Sequence, residues 1–251
     1  MFIGIDLGSR TTNLVAIENG LVKDSVIVNS GRSPVAICEK LLDSRNYQGV
    51  AVTGYGRHLV GEVLNAKVIS EIKAYALGAR TLFPYCRTIV DVGGQDCKVI
   101  VLDKNGIMHS FEMNDRCAAG TGRFLEVMAG ILDLDISEFG KCSLESKTSI
   151  QINSTCTVFA ESEVISLINS GKPTEAISRG LHQSIARRIA QMVGRVGLVE
   201  PVVFAGGGAK NIGLVTLLEE ELSAICSIPS EPQIVGAYGA ALAAQKTFSN
   251  N

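Results

Sequence analysis

The sequence has no tryptophan, and aromatic residues of all kinds make up only 5% of its 251 positions. It also lacks a strong charge of either sign: 23 Lys and Arg against 25 Asp and Glu give a formal net charge of −2. With no basic excess and no basic stripe, there is no electrostatic footprint for nucleic acid or for an anionic membrane surface. No uninterrupted apolar run of about 18 residues occurs, so no transmembrane helix is expected. The first residues lack the basic start and small-residue cleavage site of a secretory leader. A cytoplasmic location is therefore expected, where disulfides are uncommon. The seven cysteines, at 38, 86, 97, 117, 142, 156 and 226, include no Cys-x-x-Cys pair. They read as thiols or metal ligands, and for any one of them the plain expectation is a small buried hydrophobe. What is present, 46% hydrophobic and 19% charged residues, is the composition of a soluble globular protein with ample core. The length allows one large domain or two modest ones.

An internal repeat organises the chain. Phe2–Ile3–Gly4–Ile5–Asp6–Leu7–Gly8–Ser9 is followed by Leu14–Val15–Ala16–Ile17 and then Asn19–Gly20. Thr88–Ile89–Val90–Asp91–Val92–Gly93–Gly94–Gln95 is followed by Val99–Ile100–Val101–Leu102 and then Asn105–Gly106. Each copy predicts an apolar strand, an Asp-apolar-Gly turn, a second strand and an Asn-Gly turn. Each opens one half of the protein, which implies two related lobes facing each other. An Asp at a strand end suits a metal held through water better than it suits a core. The glycines let backbone N–H groups approach an anion with no Cβ in the way. Two such hairpins, one per lobe, are able to grip a polyphosphate from both sides.

A third strand, Pro201–Val202–Val203–Phe204–Ala205, runs into Gly206–Gly207–Gly208 and then an amphipathic helix through Leu214, Leu217, Leu218 and Leu222. Three consecutive glycines exceed the needs of a turn and favour close approach of a flat ligand such as adenine. The stretch from Ile234 to Leu242 reads as a small-residue helix crossing back to the first lobe.

These segments, from Asp6 to Thr12, from Asp91 to Gln95 and from Phe204 to Asn211, resemble the two phosphate motifs and the adenosine motif of the acetate and sugar kinase, Hsp70 and actin superfamily. That resemblance implies an α/β fold of two RNase-H-like lobes with ATP and Mg²⁺ in the cleft between them. The first lobe is expected over residues 1–86 with the C-terminal helix at 236–251, and the second over 87–235.

Two further segments narrow the reading. One runs from Met113 through Cys117 to Phe124, the other from Asn153 through Cys156 to Glu163, and each Cys is expected at the start of a helix. Apolar residues recur at helical spacing after both: Phe124, Leu125, Met128 and Ile131 in one, Val158, Phe159, Val164 and Ile168 in the other. A helix N-terminus favours a thiolate, but a [4Fe–4S] cluster usually takes four. A two-fold dimer supplying two cysteines from each subunit meets that count. Two buried thiols remain the alternative from the residues alone.

The chain is similar over essentially its whole length to the activator components of 2-hydroxyacyl-CoA dehydratases, in the benzoyl-CoA reductase-related ATPase family (BadF/BadG/BcrA/BcrD type). The resemblance rests on Thr53–Gly–Tyr–Gly–Arg57, Asp91–Val–Gly–Gly–Gln–Asp96, Asn114–Asp–Arg–Cys–Ala–Ala–Gly–Thr–Gly–Arg–Phe124 and Cys156–Thr–Val–Phe–Ala–Glu–Ser–Glu–Val164. It implies a homodimer in which Cys117 and Cys156 of each subunit hold one shared [4Fe–4S] cluster. ATP hydrolysis to ADP would be coupled to delivery of one low-potential electron. The donor would be a ferredoxin or flavodoxin, and the acceptor an iron–sulfur dehydratase or reductase.

Within the cleft, Asp6 and Asp91 are expected to orient Mg²⁺ and its waters, and Gln95 to place the attacking water. Backbone amides of Gly8, Ser9, Gly93 and Gly94, with Arg10 and the hydroxyls of Ser9, Thr11 and Thr12, would hold phosphates. Gly206, Gly207, Gly208 and Asn211 would flank adenosine. Related activators often carry Lys where this chain has Asn13, and the repeat places Lys98 at the matching point of the second lobe. With no added domain for a CoA substrate, the chain suits an activator. The competing function is a small-molecule kinase of the same fold with Asp96 or Asp115 as base, which gives no reason for the two cysteines. A third is a nucleotide-gated binding module.

Overall fold

The computed structural model describes residues 1–43, 45–153 and 156–249. The strands are β1 Phe2–Leu7, β2 Thr11–Glu18, β3 Leu21–Asn29, β4 Gly49–Gly54 and β5 Lys67–Val68, then β6 Thr88–Val92, β7 Cys97–Leu102, β8 Met108–Asn114, β9 Val202–Ala205 and β10 Cys226–Ser227. The helices are α1 Pro34–Leu42, α2 Arg57–Val63, α3 Glu71–Leu82, α4 Gly122–Ile131 and α5 Ile136–Glu145. They continue with α6 Thr157–Asn169, α7 Thr174–Val196, α8 Ile212–Leu222 and α9 Val235–Phe248.

The strands form two sheets, ordered β3-β2-β1-β4-β5 and β10-β9-β6-β7-β8. In the first, β1, β2 and β3 are an antiparallel meander, while β4 joins β1 and β5 joins β4 in parallel. In the second, β6, β7 and β8 repeat the meander, with β9 parallel to β6 and β10 parallel to β9. The sequence repeat is therefore a repeat of topology, strand for strand. Each central strand is buried on both faces, as Phe2–Leu7 and Thr88–Val92 require of unbroken apolar runs. The Asn19–Gly20 turn places both residues at positive φ, 50° and 77°, the conformation a tight two-residue hairpin demands.

Each sheet is covered on two sides. In the first lobe, Ile3, Ile5, Leu14 and Val52 pack with Cys38 and Leu42 of α1 and Val60 of α2. The opposite face of that sheet packs Phe2, Val15 and Ala51 against Ala237, Ala241 and Ala244 of α9. The second sheet buries Val90, Val92 and Val99 under α4, α5, α7 and α8, and Ile89, Ile100 and Val203 under Tyr75, Ala76 and Ala79 of α3. So α3, within the segment 1–86, lies against the second sheet, while α9, at the far end of the chain, lies against the first.

The two helices cross each other in backbone contact. A Cβ added at Gly78 of α3 would overlap the Val235 carbonyl, and one at Gly239 of α9 would overlap that of Ala74. Only glycine permits that approach.

Candidate functional site

Both hairpins turn at the carboxyl ends of central strands, where open α/β sheets present ligands. The Gly8 amide donates to the Thr11 carbonyl at 3.0 Å and the Gly93 amide to the Asp96 carbonyl at 2.9 Å, so these two close their turns. Ser9, Arg10 and Gln95 are exposed near the tips. Thr12 is fully buried, and its hydroxyl lies 3.1 Å from Ser30 Oγ, which itself donates to the Gly8 carbonyl at 2.6 Å. Strand alternation thus turns Thr12 inward to brace the hairpin from behind.

Asp6 stands in its sheet between Asn13 on β2 and Thr53 on β4. Asp91 stands between Lys98 on β7 and Ala205 on β9. Three buried side-chain atoms among the described residues have no hydrogen-bond partner: Asn13 Oδ1, Thr53 Oγ1 and Asp91 Oδ1. All three belong to these two rows. A buried polar atom left unpaired costs free energy, and three at one cleft are what a hydrated ion or ligand would satisfy. The space is kept open by glycines: Asp6 Oδ2 lies where a Cβ of Gly236 would sit, and Asp91 Oδ1 where one of Gly206 would sit. The donor set, two carboxylates with neutral oxygens beside them, fits a hard divalent cation held through water.

The charges here are unequal. Lys98 Nζ lies 3.1 Å from Asp91 Oδ2, 2.5 Å from Asp96 Oδ2 and 2.9 Å from Glu71 Oε2 on α3, and 5.6 Å from the centre of the Tyr75 ring. Burial works against the ammonium, but the three carboxylates outweigh it and hold Lys98 charged, well above the ordinary lysine range. Burial also pushes Asp91 up, opposed by Lys98. Asp6 has no cation opposite it. Burial, and then the nearby Glu71 charge, push its carboxyl up to about 8. Glu71 and Tyr75 carry no signal in the sequence; the pointers to this place are the alignment of Lys98 with Asn13 and the segment that begins at Thr53, to which the sequence attaches no role.

The glycine run after β9 serves the chain itself in part. Gly206 has φ 81°, and a Cβ at Gly206 or Gly208 would strike Asp91 or Val92; Gly207 is the exposed one. The Asn211 side chain is committed internally: Oδ1 accepts from the Leu214 amide at 2.9 Å, capping α8, and Nδ2 meets His182 Nε2 at 2.9 Å. His182 Nδ1 lies 2.8 Å from the Ser178 carbonyl, so Nδ1 carries the proton and Nε2 accepts from Asn211.

Cys156 is exposed and is the N-cap of α6. Cys117 is half-buried and lies in the turn five residues before α4, not at its first turn. The Asn114 side chain holds the carbonyls of Cys117 and Ala119, at 2.9 and 3.3 Å, and Gly120 at φ 88° redirects the chain before the helix starts. Ser154 and Thr155, quoted with the second motif, lie outside the described residues. Val158 and Phe159, just after Cys156, are each 67% exposed. Cys38, Cys86, Cys97 and Cys226 are buried, and burial pushes the thiols of Cys86 and Cys226 up to about 12. Cys142 on α5 is half-buried like Cys117, with the Ser178 hydroxyl 3.5 Å from its sulfur, so solvent access is full at Cys156 and partial at Cys117 and Cys142. The soft donors of Cys156 and Cys117 fit an iron–sulfur group. Arg10 of the first hairpin crosses to Glu126 of α4, 2.9 Å away, and packs beside Gly94 of the second.

The sequence matches the family described as the BadF/BadG/BcrA/BcrD ATPase family over residues 3–244. It is 43% identical to the 2-hydroxyisocaproyl-CoA dehydratase activator of Clostridioides difficile over 249 residues, 96% of this chain and 93% of that one. It is 41% identical to the (R)-2-hydroxyglutaryl-CoA dehydratase activating ATPase of Acidaminococcus fermentans, covering 97% of this chain and 96% of the other. Among solved structures, the activator of the 2-hydroxyisocaproyl-CoA dehydratase from Clostridium difficile with bound ADPNP superposes with a TM-score of 0.90 at 41% identity, covering 100% of this chain and 96% of that chain. The two-lobed fold is shared as a fold, at 12% identity and a TM-score of 0.62, with a ROK family glucokinase from Streptomyces griseus, covering 98% of this chain and 99% of that chain.

Proposed function

The chain belongs to the BadF/BadG/BcrA/BcrD ATPase family, and on that footing we propose that this ATPase is a one-electron activator of a 2-hydroxyacyl-CoA dehydratase or a related reductase, working in the cytoplasm as a homodimer. The observation that carries the nucleotide part is the row of orphaned atoms, Asn13 Oδ1, Thr53 Oγ1 and Asp91 Oδ1, beside two carboxylates at the ends of β1 and β6. Asp6 and Asp91 would hold Mg²⁺ through water. The amides of Ser9 and Gly94 at the two tips, with Arg10 and Thr11, would meet the phosphates, and Gln95 would orient water toward the γ-phosphate. Water attacks that phosphorus, the bond to the β–γ bridging oxygen breaks, and ADP and phosphate leave. Gly207 and the turn capped by Asn211 would face adenosine.

Cys117 and Cys156 of each subunit would hold a shared [4Fe–4S] cluster, which when bound supplies one electron at low potential. The exposed Val158 and Phe159 would be covered by the second subunit, keeping water from the thiolates. Arg10 would report on phosphate, since it links the first hairpin to α4, the helix that follows Cys117. Nucleotide can shift the two lobes only by binding their arrangements unequally, and closure of both hairpins on one phosphate chain supplies that difference. A ferredoxin or flavodoxin would be the donor.

The test is iron and acid-labile sulfide in protein purified and reconstituted without oxygen, beside Cys117→Ala and Cys156→Ala. About four irons per dimer in the parent, and none in either variant, is expected. An iron-free anaerobic parent with a working ATP site would overturn the activator reading and favour a kinase.

A further inference from the structure

The turn Gly54–Tyr–Gly–Arg57 that follows Thr53 has no role in the phosphate or thiolate binding proposed above, and neither has Lys98. The structure joins them. Gly54 and Gly56 fold this turn over Leu7 at the end of β1, where a Cβ on either would overlap Leu7. The turn delivers Arg57, whose Nη1 donates to the Gly54 carbonyl at 3.0 Å and lies 3.4 Å from Glu71 Oε1. The other oxygen of Glu71 is the one 2.9 Å from Lys98 Nζ. Lys98 is 2% exposed and grips both Asp91 and Asp96. Asp96 in turn closes the second hairpin, its carbonyl accepting from the Gly93 amide at 2.9 Å and its Oδ1 filling the space beside Gly93. A continuous line of ion pairs thus runs from the first lobe, through α3, to the loop at the second phosphate position.

We propose that Lys98 is a positioning residue of the ATPase: a built-in monovalent cation that fixes Asp91 and the Asp96-closed hairpin, and that registers them against the first lobe through Glu71 and Arg57. The first hairpin has no such cation, because Asn13 occupies the equivalent register. A buried ammonium among three carboxylates holds their oxygens in place more firmly than water would, because each displacement would leave a charge uncompensated. Placing the catalytic groups to within a fraction of an ångström is what such a clamp contributes to rate. The inference rests on the nucleotide cleft described above and is independent of the iron–sulfur reading.

The experiment uses the intact protein with Lys98→Ala, which removes the chain beyond Cβ and leaves the volume of n-propylammonium. ATP turnover is expected to fall about 100-fold, mainly in kcat, with iron content unchanged. Ammonium or n-propylammonium chloride should restore it saturably, and tetramethylammonium at the same ionic strength should not, being too large. A folded Lys98→Ala that keeps its kcat, or that no small cation restores, overturns the proposal. Should this variant fail to fold, Glu71→Gln decides, since it keeps Lys98 and both second-lobe pairs. Positioning predicts a fall in kcat of about tenfold with little change in KM for MgATP, and an unchanged kcat overturns it. An iron-free parent that still turns over ATP would sink the activator reading and leave this one standing.

Discussion

Asn13 stands directly across the first hairpin from Asp6 and brings it no charge. Its amide donates to the Gln233 carbonyl at 3.1 Å, leaving Oδ1 unpaired beside the carboxyl. Asp6 is therefore a buried acid with no cation in its own row; burial, and then the Glu71 charge, outweigh Lys98 of the other row and raise its pKa from 3.8 to about 8. Folding favours the neutral form, so its contribution to stability is whole below 3.8 and is lost as pH rises through about 8. Asp6→Asn should gain in Tm over the nucleotide-free parent steadily across that window, while ATP turnover falls to background. A difference that stays flat with pH would show that the carboxyl is not desolvated.

His182 runs in the opposite sense. Burial pulls its pKa from 6.5 down to about 4, so the folded protein refuses a proton that the unfolded chain accepts. Its contribution is present above 6.5 and lost as pH falls toward about 4, amounting to roughly 3 kcal/mol at the acid end. His182→Leu should flatten the acid limb of a denaturation series over that range. By releasing Asn211 it should also raise the KM for ATP.

Arg10 and Glu126 are both partly exposed, so their ion pair contributes at most about 1 kcal/mol to stability. If Arg10 leaves Glu126 for phosphate, Glu126 is a competitor for it. Glu126→Gln should then tighten ATP binding by up to about fivefold, read by titration calorimetry, with the Tm hardly moved. Weaker binding would mean that the pair persists in the nucleotide complex.

Phe159 is three residues beyond the N-cap of α6 and two-thirds exposed. Placing a charge there is costly only if a partner covers it. Phe159→Glu should shift sedimentation from dimer toward monomer and lower iron retention in parallel. A dimer that keeps its mass with this variant would put the interface elsewhere.

Two helical glycines should respond in opposite ways to alanine. Gly239→Ala drives a Cβ into the Ala74 backbone and should destabilise by about 1–3 kcal/mol. Gly130 in α4 has nothing within 4 Å of that position, and Gly130→Ala should stabilise by up to about 1 kcal/mol.

The duplicated hairpins were legible because their information is local: apolar runs, an Asp near each strand end and the Asn-Gly turns lie within about 20 residues. Glu71 was not, since a Glu in the first turn of a helix is ordinary and acquires its role only because α3 lies under the second sheet. Thr12 was assigned to phosphate from its place in a motif, whereas strand alternation and Ser30, 18 residues on, turn it inward. Cys117 was expected at a helix start because periodicity marks where a helix continues better than where it begins. The turn held by Asn114 delays that beginning by five residues.

Where α3 and α9 cross at Gly78 and Gly239, main chain touches main chain. No layer of side chains lies between them to change rotamer and absorb movement, and close-packed backbone scarcely compresses. The helix bound to the first sheet and the helix bound to the second therefore meet like two rods of a scissor joint. Backbone contact fixes their separation at the crossing, so a change in the arrangement of the two sheets there has to be a change of angle about that point rather than a parting of the lobes.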